Sequence, residues 1–167
     1  LSTTLSVDKI CKKYNAKLIR TPVGEINVVQ KMIDLNSKIG GEGNGGIILS
    51  ESHLGRDSIV GVALILNRLS ESKDKLNNIV EELPNFTMIK SKKVISKTID
   101  YKIIKNYFSK NYNVISFNED DGLKINLKDE WVHIRKSNTE PIIRIIGESK
   151  DIISTKHLIS EVNKLAK

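Results

Sequence analysis

The hydrophobic pattern of this 167-residue chain changes at Pro84, and that change limits the possible folds more than any other feature. Before Pro84, segments with helical spacing alternate with short apolar runs, which favours an α/β arrangement. After Pro84, strand-like runs follow one another closely with helices beside them, which favours a mostly antiparallel α+β unit. We therefore expect a domain boundary between about Pro84 and Lys93, and we assign residues 1–88 and 89–167 to two domains.

The first domain is expected to be a truncated three-layer α/β/α domain. The pattern predicts helices at 6–14, 26–36, 57–69 and 74–83, and strands at 17–21 and Ile47–Leu49. Asp57 is a suitable N-cap for the third of these helices. The chain begins with Leu1 and leads almost directly into a helix, so we interpret it as cut from something longer.

The second domain is expected to be smaller, with a mostly antiparallel sheet and flanking helices. The pattern predicts strands at 87–95, 114–117, Leu123–Leu127, 131–135 and 142–146, and helices at 100–109 and 153–165. Asp120, Asp121 and Gly122 indicate a tight turn between two of these strands.

Composition excludes several classes of protein. Hydrophobic residues make up 39% of the chain, enough for a modest core, and no apolar run is long enough to span a membrane. With no signal-peptide pattern either, a soluble cytoplasmic protein is expected. Cys11 is the only cysteine and the three histidines are widely spaced, so neither a disulfide framework nor a metal site is expected in this chain.

The formal charge of +7 raises the question of nucleic-acid binding. Most of the excess lies after Pro84 as scattered lysines, and aromatic residues make up only 5% of the chain, which leaves few surfaces for base stacking. We favour solvated helix faces over a nucleic-acid site. A weak nucleic-acid-binding module remains an alternative.

A glycine cluster at 40–46 contains the spacing G-x-G-x-x-G. A dinucleotide site needs a helix directly after this motif, whereas Ile47–Leu49 predicts a strand, so nucleotide binding is not favoured. The cluster also carries Glu42 and Asn44, and a carboxylate beside an amide can bind neighbouring hydroxyls of a sugar ring. The alternative is a glycine-rich connection whose polar residues face water.

The segment 135–141 lies between two predicted strands and is rich in groups that bind anions. Arg135, Ser137, Asn138 and Thr139 together offer a guanidinium, two hydroxyls and an amide, which suit a phosphate dianion. The alternative is a polar hairpin whose side chains bond their own backbone. Strand alternation places Trp131, His133 and Arg135 on one face, so Arg135 can point away from the core.

Arg144 lies inside the apolar run 142–146 and is expected to have an anionic partner, because a buried unpaired arginine is costly. A bound phosphate would serve. A structural pair with Glu140 or Glu148 is the competing interpretation.

Together these segments resemble the third and fourth domains of the α-D-phosphohexomutase superfamily, in order and in spacing. The resemblance covers nearly the whole chain, and the segment 135–141 is its most specific part. The segments that carry it are Thr21-Pro22-Val23-Gly24-Glu25, Gly41-Glu42-Gly43-Asn44-Gly45-Gly46, Gly55-Arg56-Asp57, and Arg135-Lys136-Ser137-Asn138-Thr139-Glu140-Pro141 with Arg144.

The resemblance implies which residues bind substrate. Glu42 and Asn44 would contact sugar hydroxyls, Gly24 and Glu25 would form a further substrate-side loop, and the substrate phosphate would be held in the second domain. The residues implied there are Arg135, Ser137, Asn138 and Thr139, with Arg144 as a candidate.

The resemblance also implies an isomerase of carbohydrate metabolism that acts as an intramolecular phosphotransferase between hexose 6-phosphates and 1-phosphates. In this family a phosphoserine in the first domain transfers its phosphoryl group through a bisphosphate intermediate, and a magnesium ion in the second domain assists. Neither loop occurs here, so we expect no catalytic residue and no metal in this chain and no turnover without the missing N-terminal domains.

The expected ligand is a phosphorylated hexose, with glucose, mannose and glucosamine phosphates all open. Many relatives carry serine and then a Gly-His pair where this chain has Asn44, Gly45 and Gly46. A nonenzymatic module that binds phosphorylated sugars is the rival interpretation. Because an incomplete first domain would expose a sheet edge and an apolar helix face, some self-association is also expected.

Overall fold

The computed structural model describes residues 1–94, 99–137 and 140–166, and these form two units. The N-terminal unit contains Ser2 and Ser6–Pro84. The C-terminal unit contains Leu1, Thr3–Leu5 and the described residues from Asn85 onward. The α/β class expected from the sequence is confirmed, and the chain passes from one unit to the other between Pro84 and Asn85, near the change in hydrophobic pattern.

The N-terminal unit consists of four helices and a two-stranded hairpin in its described residues. Strands β1 and β2 are antiparallel, with Gly40 opposite Ile48. The elements are α1 (Ser6–Lys13), α2 (Glu25–Leu35), β1 (Ile39–Gly41), β2 (Ile47–Leu49), α3 (Ser58–Ser72) and α4 (Leu76–Glu81).

Local signals explain where these helices begin and end. The side chain of Asp57 accepts hydrogen bonds from the backbone N–H groups of Ile59 and Val60, which caps α3 as expected from the sequence. Helix α2 ends at Asn36, whose φ of 49° is left-handed and whose N–H bonds back to the carbonyls of the last turn.

The prediction of a strand at 17–21 is wrong, because that segment is irregular. A strand needs a neighbour to bond its backbone, and within the described part of this unit β1 and β2 pair only with each other. Arg20 in this segment instead forms an ion pair with Asp8 of α1. The sequence pattern also missed β1, whose two glycines are poor strand formers.

Much of the apolar surface of the N-terminal unit is exposed. Among its described residues, the buried apolar side chains are Met32 and Ile48. Helix α3, in contrast, exposes Ile59, Ile65 and Leu66 by 79%, 52% and 60%. This unit therefore has only a small core of its own.

The C-terminal unit is built on a five-stranded antiparallel sheet in the order β3-β7-β6-β5-β4, as the expected antiparallel α+β architecture requires. Helices α5 and α6 supply the apolar side chains that cover one face of it. The elements are β3 (Thr87–Val94), α5 (Tyr101–Asn111), β4 (Ser116–Asn118), β5 (Leu123–Leu127), β6 (Glu130–Lys136), β7 (Ile142–Ser149) and α6 (Ile152–Leu165).

The core of this unit follows from the two-residue alternation of the strands. Ile134 of β6 lies opposite Ile145 of β7, and both side chains are fully buried. Phe108 of α5 and Val162 of α6 belong to the same buried cluster. Burying one such side chain contributes about 1.5–3 kcal/mol, so this cluster is the main source of hydrophobic stabilisation in the unit.

The face of β6 that carries Trp131 is also buried, although strand alternation alone allowed this face to point away from the core. The indole Nε1 donates to Oε2 of Glu148 at 2.9 Å, and the backbone N–H of Leu5 donates to the same oxygen at 2.7 Å. The ammonium of Lys124 lies 4.2 Å from the centre of a Trp131 ring and donates to the carbonyl of Leu1 at 2.7 Å. Polar partners therefore accompany each buried charge on this face.

His133 neighbours Trp131 on this face and is fully buried. Its Nε2–H donates to the carbonyl oxygen of Asp121 at 2.6 Å. Burial lowers the pKa of His133 to about 4, although the bond to Asp121 opposes that shift. The imidazole is therefore neutral near pH 7.

We expect this histidine to make the C-terminal unit less stable in mild acid. Between pH 6.5, the ordinary pKa, and about 4, the unfolded chain binds a proton that the folded chain does not, so the free energy of unfolding falls as the pH drops. The full effect is on the order of 3 kcal/mol. Urea denaturation of the wild type and of His133→Gln across this pH range should show a shallower decline in the variant. His157→Gln, at an exposed position on α6, is the control, and an equal decline for all three proteins would contradict this assignment.

Candidate functional site

The glycine cluster forms the tight connection between β1 and β2. The N–H of Glu42 donates to the carbonyl of Gly46 at 2.9 Å, and the N–H of Gly45 donates to the carbonyl of Glu42 at 3.0 Å. Gly45 has a φ of 94°, which a side chain would strain. The predicted strand follows the cluster as β2, so the motif does not open a helix as a dinucleotide site requires.

Asn44 uses one end of its amide to hold this loop. Its Oδ1 accepts a hydrogen bond from the N–H of Gly46 at 3.0 Å. Its Nδ2 has no hydrogen-bond partner in the described part of the chain, so two donor positions are left for a ligand.

Arg56 links the two carboxylates that the sequence singled out. Its backbone N–H donates to Oε1 of Glu25 at 2.9 Å, and its Nε donates to Oε2 of Glu25 at 2.7 Å. Its Nη1 lies 3.3 Å from Oε2 of Glu42. Arg56 follows β2 in the chain and precedes the cap of α3, so the helix start positions its backbone beside Glu25.

These contacts change the electrostatics of Glu25. The hydrogen bond from the backbone of Arg56, followed by the one from its side chain, lowers the pKa of Glu25 from its ordinary value. Glu25 is the first residue of α2, and a carboxylate in this place also interacts favourably with the positive end of the helix dipole. Glu25 is therefore ionised at neutral pH.

An open cavity of about 550 Å³ lies beside this arrangement. Its volume falls in the usual range for small-molecule sites. It brings together predicted residues Glu25 and Asn44 with Arg56, to which the sequence analysis gave no role. The lining residues are Glu25, Asn44, Gly45, Gly46, Ile47, Arg56, Asp57 and Ser58.

The remaining residues predicted in this unit, Gly24 and Glu42, are neighbours of residues that line the cavity. Gly24 is the N-cap residue of α2 and has a φ of 128°, so a side chain there would be strained. Glu42 is not among the lining residues, but its Oε2 contacts Arg56 and its Oε1 has no hydrogen-bond partner within the described ranges. The motif Gly55-Arg56-Asp57 was the sequence signal that pointed to Arg56.

The second predicted site lies at the β6–β7 connection of the C-terminal unit. Arg135 lies near the end of β6, and the N–H of Ser137 donates to the carbonyl of Ile142 at 2.9 Å, which closes the connection. Asn138 and Thr139 lie outside the described residues. Their predicted roles remain predictions.

Two arginines face each other across this pair of strands. Arg135 lies directly opposite Arg144 in the register of β6 and β7. The Nε of Arg135 is buried and has no hydrogen-bond partner in the part of the chain that the structure describes. Like charges placed opposite each other in a sheet are destabilising, so this arrangement favours binding of an anion.

Arg144 forms one of the two structural ion pairs that were considered as alternatives to phosphate binding. Its Nη2 lies 3.6 Å from Oε2 of Glu140, with side chains 45% and 52% exposed. Glu148 is not its partner, because that carboxylate is buried and bonded to Trp131. An exposed pair at this distance contributes about 0–1 kcal/mol, so it does not account for two facing arginines.

The described residues contain no group of three or more histidine, cysteine, aspartate or glutamate side chains that could hold a metal ion. They therefore do not fit the magnesium site that the resemblance implies for another domain of the family. Across the described ranges, no helix combines the length and the apolar character needed to cross a membrane.

Comparison with known proteins shows to which family the chain belongs. Residues 1–86 match the family model "Phosphoglucomutase/phosphomannomutase, alpha/beta/alpha domain III". The chain is 37% identical over 153 residues to a phosphoglucomutase/phosphomannomutase of Thermococcus kodakarensis, covering 90% of this chain and 33% of that protein. It is 32% identical over 170 residues to a phosphoglucosamine/phosphogalactosamine mutase of Sulfurisphaera tokodaii, covering 99% of this chain and 37% of that protein.

A solved structure shows the same fold. A phosphoglucomutase/phosphomannomutase family protein from Burkholderia thailandensis superposes with a TM-score of 0.74 at 16% identity, over 95% of this chain and 34% of that one. The chain spans about a third of the length of the curated relatives it matches. On the match of its first 86 residues to the domain III model, the chain belongs to the phosphoglucomutase/phosphomannomutase family.

Proposed function

We propose that this chain is the substrate-binding, C-terminal portion of a sugar-phosphate mutase that interconverts hexose or hexosamine 6-phosphates and 1-phosphates. The observation that carries the proposal is the pair of facing arginines, Arg135 and Arg144, of which Arg135 has a buried Nε without a partner among described residues. A phosphate dianion supplies the missing acceptor and separates the two positive charges. Family membership supports the same reaction class.

The glycine loop is proposed to bind the sugar hydroxyls. Asn44 offers Nδ2 as a donor, and Glu42 offers Oε1 as an acceptor. A donor and an acceptor on one short loop suit neighbouring hydroxyls of a pyranose ring, each of which both donates and accepts. The adjacent cavity of about 550 Å³ is of suitable size for such a ligand.

The β6–β7 connection is proposed to bind the phosphate. Arg135 would bind two phosphate oxygens, assisted by Ser137 and by Asn138 and Thr139. Arg144 would approach the same anion from the neighbouring strand. These contacts would hold a phosphate that is not reacting, so this chain would contribute positioning rather than bond-breaking groups.

The phosphoserine and the magnesium loop are proposed to lie in N-terminal domains of the same protein. When bound there, the metal would assist transfer of the phosphoryl group. The chain alone is accordingly proposed to be inactive. The coding sequence upstream of Leu1 tests this: we expect a serine-histidine-asparagine-proline loop followed by an aspartate-rich loop, and an upstream region without both would remove the enzyme proposal.

The sugar itself stays open within this proposal. The relatives named above are called a phosphoglucomutase/phosphomannomutase and a phosphoglucosamine/phosphogalactosamine mutase, so their names cover both neutral and amino sugars. We therefore propose a phosphorylated hexose or hexosamine as the substrate class, in a cytoplasmic enzyme.

Titration with a sugar phosphate tests the phosphate site directly. We expect glucose 6-phosphate and glucose 1,6-bisphosphate to shift the NMR signals of residues 135–139, and Arg135→Ala to abolish the shifts because the main anion contact is lost. Affinity should be weak, so millimolar ligand is needed. Arg68→Ala, which removes an exposed arginine on α3, is the control and should bind as the wild type does.

The rival function gives a different result in the same titration. A salt-sensitive interaction with DNA or heparin, with no response to either sugar phosphate, would favour a nucleic-acid-binding module instead. Sugar-phosphate binding together with an upstream sequence that lacks the serine and metal loops would favour a nonenzymatic binder.

Arg144→Gln separates a phosphate-binding role from a structural one. We expect its free energy of unfolding to stay within about 0.5 kcal/mol of the wild type, because an exposed ion pair contributes little and the repulsion from Arg135 is relieved. Binding of glucose 6-phosphate should weaken about tenfold, as for the loss of one charge-assisted hydrogen bond. Glu140→Gln is the matched control and should bind no more weakly than the wild type. Lost stability with unchanged affinity would identify a structural ion pair.

We also propose that the 167-residue chain self-associates through its N-terminal unit. Ile59 and Leu66 of α3 are largely exposed, and apolar surface of this kind drives association. Sedimentation velocity should show a rising average mass with concentration, and Ile59→Ser/Leu66→Ser should reduce it. Ile153→Ser, at an exposed apolar position on α6, is the control. A clean monomer at high concentration would contradict the proposal.

A further inference from the structure

We propose that Arg56 is the positioning residue of the sugar site: it fixes Glu25 and one oxygen of Glu42 so that the other Glu42 oxygen and Asn44 face the ligand. This inference rests on the proposed function of the glycine loop. It assigns a role to a residue that the sequence analysis left without one. It also changes the role expected for Glu25.

Both carboxylate oxygens of Glu25 accept hydrogen bonds from Arg56. Oε1 accepts from the backbone N–H of Arg56, and Oε2 accepts from its Nε, at 2.9 and 2.7 Å. Two hydrogen bonds to one residue fix the orientation of the carboxylate as well as its position. Glu25 therefore orients Arg56, and its predicted contact with the sugar becomes indirect.

Glu42 is held through a single oxygen. Nη1 of Arg56 lies 3.3 Å from Oε2, whereas Oε1 has no hydrogen-bond partner among described residues. The Glu42 side chain is only 12% exposed, so it cannot turn freely into solvent. Arg56 thus selects which Glu42 oxygen is offered to a hydroxyl.

The positive charge of Arg56 also compensates for negative charges around the cavity. Glu25 and Asp57 line the cavity and Glu42 contacts the lining residue Arg56, so three carboxylates lie close to the space proposed for the sugar. Arg56 is the basic residue among the lining side chains. Without it, repulsion among these carboxylates would increase and would disturb their orientation.

Gly46 provides an independent observation. A Cβ built there would lie 2.4 Å from Cδ and 2.9 Å from Cγ of Arg56, and its φ is not in the left-handed region. The glycine is therefore explained by space and not by backbone strain. The aliphatic part of Arg56 occupies the volume where a side chain at position 46 would lie.

The direct test compares binding of glucose 6-phosphate by the full 167-residue chain and two variants, followed by NMR. Arg56→Ala should weaken binding about tenfold, since the orientation of Glu42 and the charge compensation are both lost. Arg56→Lys should bind nearly as weakly, because an ammonium cannot bridge two carboxylates as the guanidinium does. Arg68→Ala is the matched control. Wild-type affinity in Arg56→Ala or Arg56→Lys would overturn the inference while leaving the proposed function in place.

A second readout does not depend on the ligand. The pKa of the Glu25 carboxyl, measured by carbon NMR, should rise toward its ordinary value in Arg56→Ala, because the side-chain bond that lowers it is lost. Because the backbone N–H of residue 56 also lowers this pKa and remains in the variant, a partial rise indicates a folded loop, whereas a full return to the ordinary value indicates loss of structure. An unchanged pKa of Glu25 would overturn the inference, whether or not the wild-type chain binds sugar phosphate. Failure of the wild-type chain to bind sugar phosphate would instead contradict the proposed function.

Gly46→Ala distinguishes displacement of Arg56 from a general loss of structure. The added methyl should displace the arginine and weaken binding about as much as Arg56→Ala does. In the Arg56→Ala background the nearest atom to the same methyl is Oδ1 of Asn44, at 3.3 Å, so the methyl should weaken binding much less than in the wild type. Equal and additive losses in both backgrounds would show that Gly46 acts independently of Arg56 and would overturn this part of the inference.

Discussion

The antiparallel pairing of β6 with β7 is the constraint on which the C-terminal unit depends. One register places Ile134 opposite Ile145 in the core and Arg135 opposite Arg144 at the end of the same ladder. A shift by one residue would move every side chain of β6 to the opposite face of the sheet. Packing of the core therefore holds two arginines opposite each other, although repulsion between like charges opposes that arrangement.

The N-terminal unit is organised differently, because little of its apolar surface is buried. Its candidate site depends on polar contacts among loops, with Arg56 bonded to Glu25 and Glu42 and with the glycine loop closed by its own backbone. Such exposed contacts contribute little stability individually. Their effect is to orient carboxylate and amide groups around a cavity, which suits a binding site better than a structural core.

Sequence patterns were most successful where a single local interaction decides the structure. Asp57 was expected to cap α3 and does so, and the turn at Gly122 was expected from its neighbours and has a φ of 81°. The strand predicted at 17–21 failed because a strand depends on a partner that is distant in sequence. The partner of Arg144 is Glu140, whereas Glu148 bonds Trp131, and no local pattern distinguished these two candidates.

The amino-acid sequence by itself determined the α/β class and most helix and strand positions, and it pointed to two separate loops as candidate sites, because periodicity, caps and glycines act over a few residues. Only the tertiary structure decided that Arg56 joins Glu25 to Glu42 and that Arg135 faces Arg144. Glu25 and Arg56 are 31 residues apart in sequence. Contacts of this kind follow from chain packing and strand register, which short-range propensities do not specify.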